Sequence, residues 1–330
     1  MKRIAFFIPF QGCGRRCVYC DQGAITGVRP GGDFLAPETV RSVLLSQVSP
    51  VELCFFGGSF ARLESRLMMS YMDTIRFAPE GSRITFSSYP GDFEGDIGAL
   101  VLEKLKKYPI GTIELGLPSL DPVVLRRCGR DDDPEKIKET IIALRDAGFR
   151  LGAQIMIGLP GQTAESSMLD VETIASLMTG ARGKTWDLRI YPCLVLRGTE
   201  LESLYRTGQY VPLTLEEAVR QTGALLLYSE SLGFKAIRVG LLESDALRES
   251  VIAGPYHQAF GELALSEKLA LDLSSKVSRK GQKDSQKPWE IDPKKISQLT
   301  GHGGRGINRL AELTKIPPET VRGLLVIRGK

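Results

Sequence analysis

A chain of 330 residues, 42% of them apolar, can bury a sizeable core without disulfide staples. Forty-three Lys and Arg stand against 39 Asp and Glu, and a net charge of +4 singles out no partner by itself. No charged-then-apolar leader opens the sequence, and its longest apolar runs, IAFFIPF and ALLLY, are far short of the roughly 20 residues that span a bilayer, so a soluble, cytoplasmic protein with no membrane partner is expected.

Apolar, β-branched or aromatic runs predict strands at 4–10, 51–56, 83–89, 112–117, 151–157 and 187–195. The clearest helical pattern is 134–147, which opens with Pro134 after an Asp cap and closes at Gly148. Six β-then-α units in a row imply an α/β fold with a parallel sheet and right-handed crossovers, a partial (β/α)6 TIM-like barrel. In such barrels chemistry sits where strands end and βα loops begin. Four glycine-bearing stretches fall there: a cysteine loop after the first strand, FFGGSF after the second, GLPS at the fourth and IGLPG after the fifth.

Cys13, Cys17 and Cys20 crowd into eight residues, while Cys54, Cys128 and Cys193 stand singly and read as small hydrophobes. In a reducing compartment a tight cluster points to a metal or redox site. Thiolates at C-x3-C-x2-C can hold three irons of a 4Fe-4S cluster and leave the fourth open to a cofactor or substrate. A structural zinc knuckle is the alternative, but no fourth Cys or His follows within the loop, and the nearest histidine is His257, in a Gly-Pro-Tyr context that suits turn packing.

Beyond residue 265 the composition shifts. Residues 266–288 are read as a linker, on the polar, basic stretch SSKVSRKGQKDSQKP, and 289–330 as a small α/β module. That module shows an apolar helix, a Gly-x-x-Gly loop at Gly301–Gly304, an amphipathic helix from Arg305 and an apolar strand at 324–328. The succession resembles a KH-type RNA-binding module. A Gly-x-x-Gly turn between helices lets backbone amides approach phosphates, here Gly301, His302, Gly303 and Gly304, while Lys294, Lys295, Arg305 and Arg309 would add counterion-releasing contacts. The alternative is a helical hairpin that only packs on the barrel.

Cys13, Cys17 and Cys20, with Tyr19 directly before the last, match the pattern of the radical S-adenosylmethionine (radical SAM) superfamily. More narrowly, GCGRRCVYCDQGAITG, FFGGSF, IELGLPSLD, IMIGLPG and RIYPCLVLRGTELESLY resemble the radical domain of the Elongator catalytic subunit and its bacterial relatives, over residues 4 to about 265. The anaerobic coproporphyrinogen oxidases share the scaffold. The resemblance implies a 4Fe-4S cluster and S-adenosylmethionine as cofactors, a 5'-deoxyadenosyl radical as the reactive species, and an electron donor such as flavodoxin or ferredoxin. It places Gly57, Gly58 and Ser59 against the methionine amine, Ser87, Arg130 and Gln154 at the ribose or carboxylate, and Gly158 and Tyr19 beside the adenine. Arg189 and Tyr191 on the sixth strand are candidates to face substrate. The chain departs from its relatives at Pro118, where they carry Gln, at Tyr89 in YPGD, where they carry Arg-Pro-Asp, and at Asp131 in GRDDD, a region where they carry His. It is also expected to lack the acetyltransferase domain of Elongator proteins. The expected function is modification of a nucleoside in tRNA or another structured RNA. A coproporphyrinogen-type or other small-molecule oxidase, and an RNA-binding protein with a redox-sensing cluster, are the alternatives.

Overall fold

The computed structural model describes residues 1–27, 35–178, 185–278 and 288–327. In chain order the first half runs β1 (Lys2–Phe7), α1 (Gln22–Thr26), α2 (Pro37–Leu45), β2 (Val51–Phe56), α3 (Ser65–Asp73), β3 (Arg83–Ser88), α4 (Gly95–Leu105), β4 (Ile110–Gly116), α5 (Pro122–Arg127), α6 (Pro134–Asp146), β5 (Leu151–Ile157) and α7 (Ala164–Met178). The second half adds β6 (Trp186–Pro192), β7 (Val195–Leu196), α8 (Glu200–Arg206), α9 (Leu215–Ser231), β8 (Phe234–Val239), α10 (Asp245–Ser250), β9 (Val251–Ala253), α11 (Phe260–Ser278), β10 (Trp289–Ile291), α12 (Ile296–Thr314), α13 (Pro318–Leu324) and β11 (Leu325–Ile327).

Seven strands form one sheet in the order β1-β2-β3-β4-β5-β6-β8, every pair parallel, with helices as crossovers, the curled half-barrel of an α/β fold. All six expected strands are present. The seventh, β8, escapes the apolar pattern because Lys235 and Arg238 interrupt FKAIRV. β1 stops short of residue 10 because Pro9 has no N–H to offer a ladder and Phe10 turns left-handed at φ 58°. The helix expected from 134 starts where Asp133 caps the Glu135 amide at 3.0 Å, with Pro at its first position.

Alternation along the strands sorts the two faces. Leu53, Phe55, Ile84, Phe86, Ile113, Leu115, Leu188 and Ile190 point outward and pack under the helices. Aromatic packing is densest under β2 and β3, where Phe60 lies 4.8 Å from Phe55 and 4.9 Å from Phe86. The residues between them, facing the concave side, are polar at its base. Arg3 meets Glu52 at 2.6 Å, Thr85 donates to Glu52 at 2.6 Å, and Arg150 meets Asp187 at 2.9 Å. Charges matched in this way close the N-terminal end of the half-barrel without an apolar plug.

The expected linker is corrected over its first half. Residues 266–278 are the second part of α11, and 279–287 lie outside the described residues. The reason is that α11 serves two cores: Phe260, Leu263 and Ala264 join the barrel's apolar cluster, while Leu269, Ala270 and Leu273 join a separate one with Trp289, Ile291, Leu299, Ile307, Leu310 and Val321. A Cβ on Gly223 of α9 would lie 2.5 Å from the Glu267 side chain, and one on Gly306 of α12 would lie 2.7 Å from the Ser266 hydroxyl, so only glycine lets both helices approach α11 this closely. The C-terminal segment is a parallel two-stranded ribbon, β10 with β11, wrapped by α12 and α13 and seated on α11.

Candidate active site

At the C-terminal ends of β1 and β2 two loops lie backbone to backbone. The Ile8 amide reaches Phe56 O at 2.8 Å, and the Ser59 amide reaches Gln11 O at 2.8 Å. A Cβ on Gly12 would sit 2.1 Å from Ser59 O, and one on Gly58 2.2 Å from Gln11 O, so the contact excludes any side chain at either position. Gly57 takes φ 105°, which also favours glycine. Phe60, buried in the aromatic core, pins the exit of FFGGSF. A third tie comes from Gln22 of α1: its amide oxygen accepts from the Phe10 N–H, and its amide nitrogen lies 3.6 Å from the Cys13 sulfur.

Cys13, Cys17 and Cys20 are free thiols, half-buried on this loop. Burial raises Cys13 and pushes Cys20 up to about 12, and the neighbouring thiols of the loop add to both shifts, which favours the neutral thiols. Among the described residues no three His, Cys, Asp or Glu side chains stand close enough to share one metal ion. A 4Fe-4S cluster makes no such demand, because each thiolate would hold a different iron. The sulfur set and the Cβ-free backbone of Gly57 and Gly58 beside it thus fit the cluster and the polar end of its cofactor.

Several of the polar residues expected to meet that cofactor already have protein partners. The Ser59 hydroxyl donates to Asp92 and accepts from the Tyr89 amide at 2.8 Å, so it braces the loop from within. Burial raises the Asp92 carboxyl to about 6 in spite of this bond. Arg130 donates from Nε to Asp132 at 2.7 Å and from Nη2 to Gly116 O at 3.2 Å, with its guanidinium 4.8 Å from the centre of the Tyr89 ring. Ser87 contacts Gly58 O at 3.4 Å, and Gln154 holds only a long bond, 3.3 Å, to Ile155 O. Tyr19 packs against the apolar cluster of Val124, Cys128, Met156, Leu159 and Cys193. Gly158, at φ 76°, accepts from the Tyr210 hydroxyl at 2.6 Å. Cys54, Cys128 and Cys193 are buried, as expected of small hydrophobes.

On the concave face Arg189 of β6 grips Glu114 of β4 with one guanidinium edge, Nε to Oε2 and Nη2 to Oε1 at 2.9 Å, and stands 4.9 Å from the centre of the Phe56 ring. Tyr191 lies beside Arg189, and burial raises its hydroxyl pKa. Ser87, Gln154, Arg189 and Tyr191 share the concave face below the cysteine loop, one salt-bridged cation and three neutral polar groups.

The second glycine loop lies elsewhere, on the C-terminal segment. Gly301, His302, Gly303 and Gly304 break α12, with φ of 50°, 71° and 78° at the last three. A cavity of about 430 Å³ opens beside it, lined by Thr300, Gly303, Gly304, Ile307, Arg322 and Leu325. Lys294 and Lys295 are exposed on the turn before α12. Arg305 and Arg309 are not free for phosphates. Arg305 pairs with Glu216 of α9, and Arg309 with the buried Glu267 of α11 at 2.9 Å, while His302 meets Glu262 at 2.9 Å. His257 caps the turn into α11, accepting from the Ala259 amide at 3.0 Å, edge-on to His302.

Gln22, Glu114, Asp92 and Asp132 lie inside the quoted motifs, but sequence reasoning assigned them no part, because the partners Tyr89 and Arg15 of Asp132, Ser59 of Asp92 and Arg189 of Glu114 lie far away in sequence.

Comparison with known proteins agrees with this geometry. The family model described as the radical SAM superfamily matches residues 7–171, and that of the radical SAM C-terminal domain matches 185–270. A tRNA uridine(34) acetyltransferase of Methanocaldococcus infernus is 26% identical over 162 residues, 49% of this chain and 29% of that protein. Elongator complex protein 3 of Saccharomyces cerevisiae is 33% identical over 109 residues, 33% of this chain and 19% of that protein. These matches therefore span under a third of either relative's length. In fold, the chain superposes on a solved Elp3 of Methanocaldococcus infernus with a TM-score of 0.59 at 18% identity, covering 83% of this chain and 64% of that one.

Proposed function

The chain belongs to the radical SAM superfamily of enzymes, and from that premise we propose that it carries a 4Fe-4S cluster on Cys13, Cys17 and Cys20 and modifies a nucleoside in tRNA or another structured RNA. The single observation that supports the site is the contact between the cysteine loop and FFGGSF, where Gly12 and Gly58 leave no room for a Cβ and bring three free thiols beside bare backbone. When bound, cluster and S-adenosylmethionine supply a 5'-deoxyadenosyl radical that abstracts hydrogen. The chain's own part is to hold the loop through Gln22 and Ser59, to offer Gly57, Gly58, Ser87 and Gln154 to the cofactor, and to present Arg189 and Tyr191 to the substrate. RNA as substrate rests on the relatives, two of which are named for tRNA uridine acetylation. Acetyl transfer itself is not proposed, since the matched region is under a third of those proteins. The electron would come from a donor of the flavodoxin or ferredoxin kind.

Reconstituted protein given S-adenosylmethionine and dithionite should release 5'-deoxyadenosine, read by chromatography. Cys17→Ala should lose both iron and release, and Cys193→Ala should keep its iron. Full release from Cys17→Ala refutes the cluster assignment. Mass spectrometry of tRNA nucleosides from cells with and without the gene tests the substrate, and an unchanged nucleoside profile counts against RNA.

A further inference from the structure

Two stretches distant in sequence, YPGD and GRDDD, meet at one carboxylate. Asp132 has a side chain only 2% exposed, and it collects three donors from three places. Arg130 reaches it from the same loop at 2.7 Å, the Tyr89 hydroxyl from the end of β3, and Arg15 from inside the cysteine loop at 3.2 Å. Alongside, the Val18 amide donates to Cys128 O at 3.1 Å, so the segments around Cys17 and around Asp132 run together. A carboxylate with one negative charge facing two guanidiniums leaves the group net positive next to the thiols. Charge-assisted bonds of this kind are short, directional and strong enough to set a loop's position.

We propose that Asp132 is a positioning residue for the cysteine loop, which it ties to the barrel rim through Arg15 and Arg130 while balancing their charge beside the cluster. A consequence follows for Arg130. Its Nε is taken by Asp132 and its Nη2 by Gly116 O, so that edge of its fork is closed to the carboxylate of S-adenosylmethionine. In this chain Arg130 acts through Asp132 on the loop and keeps only its Nη1 side for a ligand, while Gln154 is an inner-face residue with a weakly held amide.

The proposal rests on the cluster reading above, and the test keeps the two apart. Wild type, Asp132→Asn, Arg15→Gln and the double variant are reconstituted, their iron is counted, and the reduction potential of the loaded cluster is titrated with dithionite under electron paramagnetic resonance. A potential rises when net positive charge is added near a cluster and falls when it is removed. Asp132→Asn should therefore shift the potential upward, Arg15→Gln downward, and the double variant should return toward wild type. Asp132→Glu, which keeps the charge, should stay near wild type. A merely structural carboxylate would lower the loaded fraction and leave the potential of what is loaded unmoved. If Asp132→Asn fails to fold, Arg15→Gln decides alone, because its side chain is half exposed and anchors no core. Potentials equal to wild type in the loaded variants overturn the proposal. Wild type that takes up no cluster overturns the cluster reading instead.

Discussion

Two glycine loops in this chain look alike in sequence and differ in what makes them glycine. In FFGGSF and its partner loop the cause is internal: a Cβ on Gly12 or Gly58 would lie 2.1 or 2.2 Å from a carbonyl oxygen, a distance no side chain tolerates. In GHGG the surroundings make no such demand. A Cβ on Gly301 or Gly303 would meet no atom of the described residues within 4 Å, and Gly301 has φ −66° and ψ 168°, which any residue adopts. Packing accounts for glycine at Gly12 and Gly58, and a φ of 105° for glycine at Gly57. At Gly301 the fold gives no reason for glycine, and what remains is open space in front of it.

The comparison breaks most visibly at the first loop. Gly58→Ala forces apart two loops that share the Ser59 to Gln11 hydrogen bond, and overpacking without a flexible neighbour should cost about 3 kcal/mol. The expected result is a lowered unfolding midpoint and loss of most iron on reconstitution, with Gly12→Ala behaving alike and adding the strain of φ 72°. Wild-type iron content in Gly58→Ala would show that the two loops do not set the thiols' positions.

The next effect in size concerns how the second loop is held. Arg309 shares its Nε–H between the two carboxylate oxygens of Glu267, at 2.9 and 3.0 Å, with the carboxylate side chain 2% exposed and that of Arg309 16%. Arg309→Leu leaves that carboxylate buried and unpaired. Full burial would cost about 3–5 kcal/mol, and the partial exposure of Arg309 reduces this to about 2 kcal/mol. Urea midpoints for Arg309→Leu and for Arg309→Leu with Glu267→Leu measure it, and the double variant should recover most of the loss. A double variant as unstable as the single one would mean the segment is not docked through this pair.

Asp132, Asp92 and Glu267 show why parts of the two loops were readable in the sequence and parts were not. Cys13, Cys17 and Cys20 announce themselves by spacing, Gly57 and Gly58 by their place after an apolar strand, and six of the seven sheet strands by apolar, β-branched or aromatic runs. The ties between elements carry no local signal. Asp132 meets residues 43 and 117 positions away, and Asp92 meets one 33 positions away. The second half of α11 was hidden for a related reason: its apolar face is narrow, Leu269, Ala270 and Leu273, and it is buried only by a module that comes later in the chain. Arg305 and Arg309 were legible as cations, but the acids that engage them sit on α9 and α11.

A smaller effect separates the loops by pH. The Asp92 carboxyl is raised to about 6 from an ordinary 3.8, chiefly by burial, so the folded state favours its protonated form. Its contribution is fully present below about pH 3.8 and is lost as pH rises through about 6. Two pH units correspond to a ceiling of about 3 kcal/mol, and with Ser59 and Tyr89 bonded to the carboxylate a difference of about 1–2 kcal/mol is expected. The stability of wild type minus that of Asp92→Asn, from urea midpoints of the iron-free protein, should fall between pH 4 and pH 6.5 and level off above. At the second loop the carboxyl in reach, Glu262, is exposed and meets the His302 side chain. Parallel curves for wild type and Asp92→Asn would remove Asp92 from the account.

The smallest expected change in stability is the most informative about function. Replacing Gly301 by Ala meets no atom and needs no unusual φ, and the loss of unfolded-chain freedom should stabilise the protein by about 0.4–1 kcal/mol. Gly303→Ala, at φ 71°, should instead cost about 1 kcal/mol. If the loop and the cavity beside it, with Arg322 at its wall, receive a phosphate backbone, a methyl group at Gly301 stands where the backbone must come close. Filter retention of bulk tRNA at two salt concentrations should then show weaker binding for Gly301→Ala in spite of its greater stability, and weaker still for His302→Asp with Gly303→Asp. The salt dependence of wild type should be shallow, because Arg305 and Arg309 are engaged by Glu216 and Glu267 and leave few cations to displace counterions. Equal tRNA binding by wild type, Gly301→Ala and the double aspartate variant would assign the segment to packing alone, and RNA recognition would then have to come from the rim of the half-barrel.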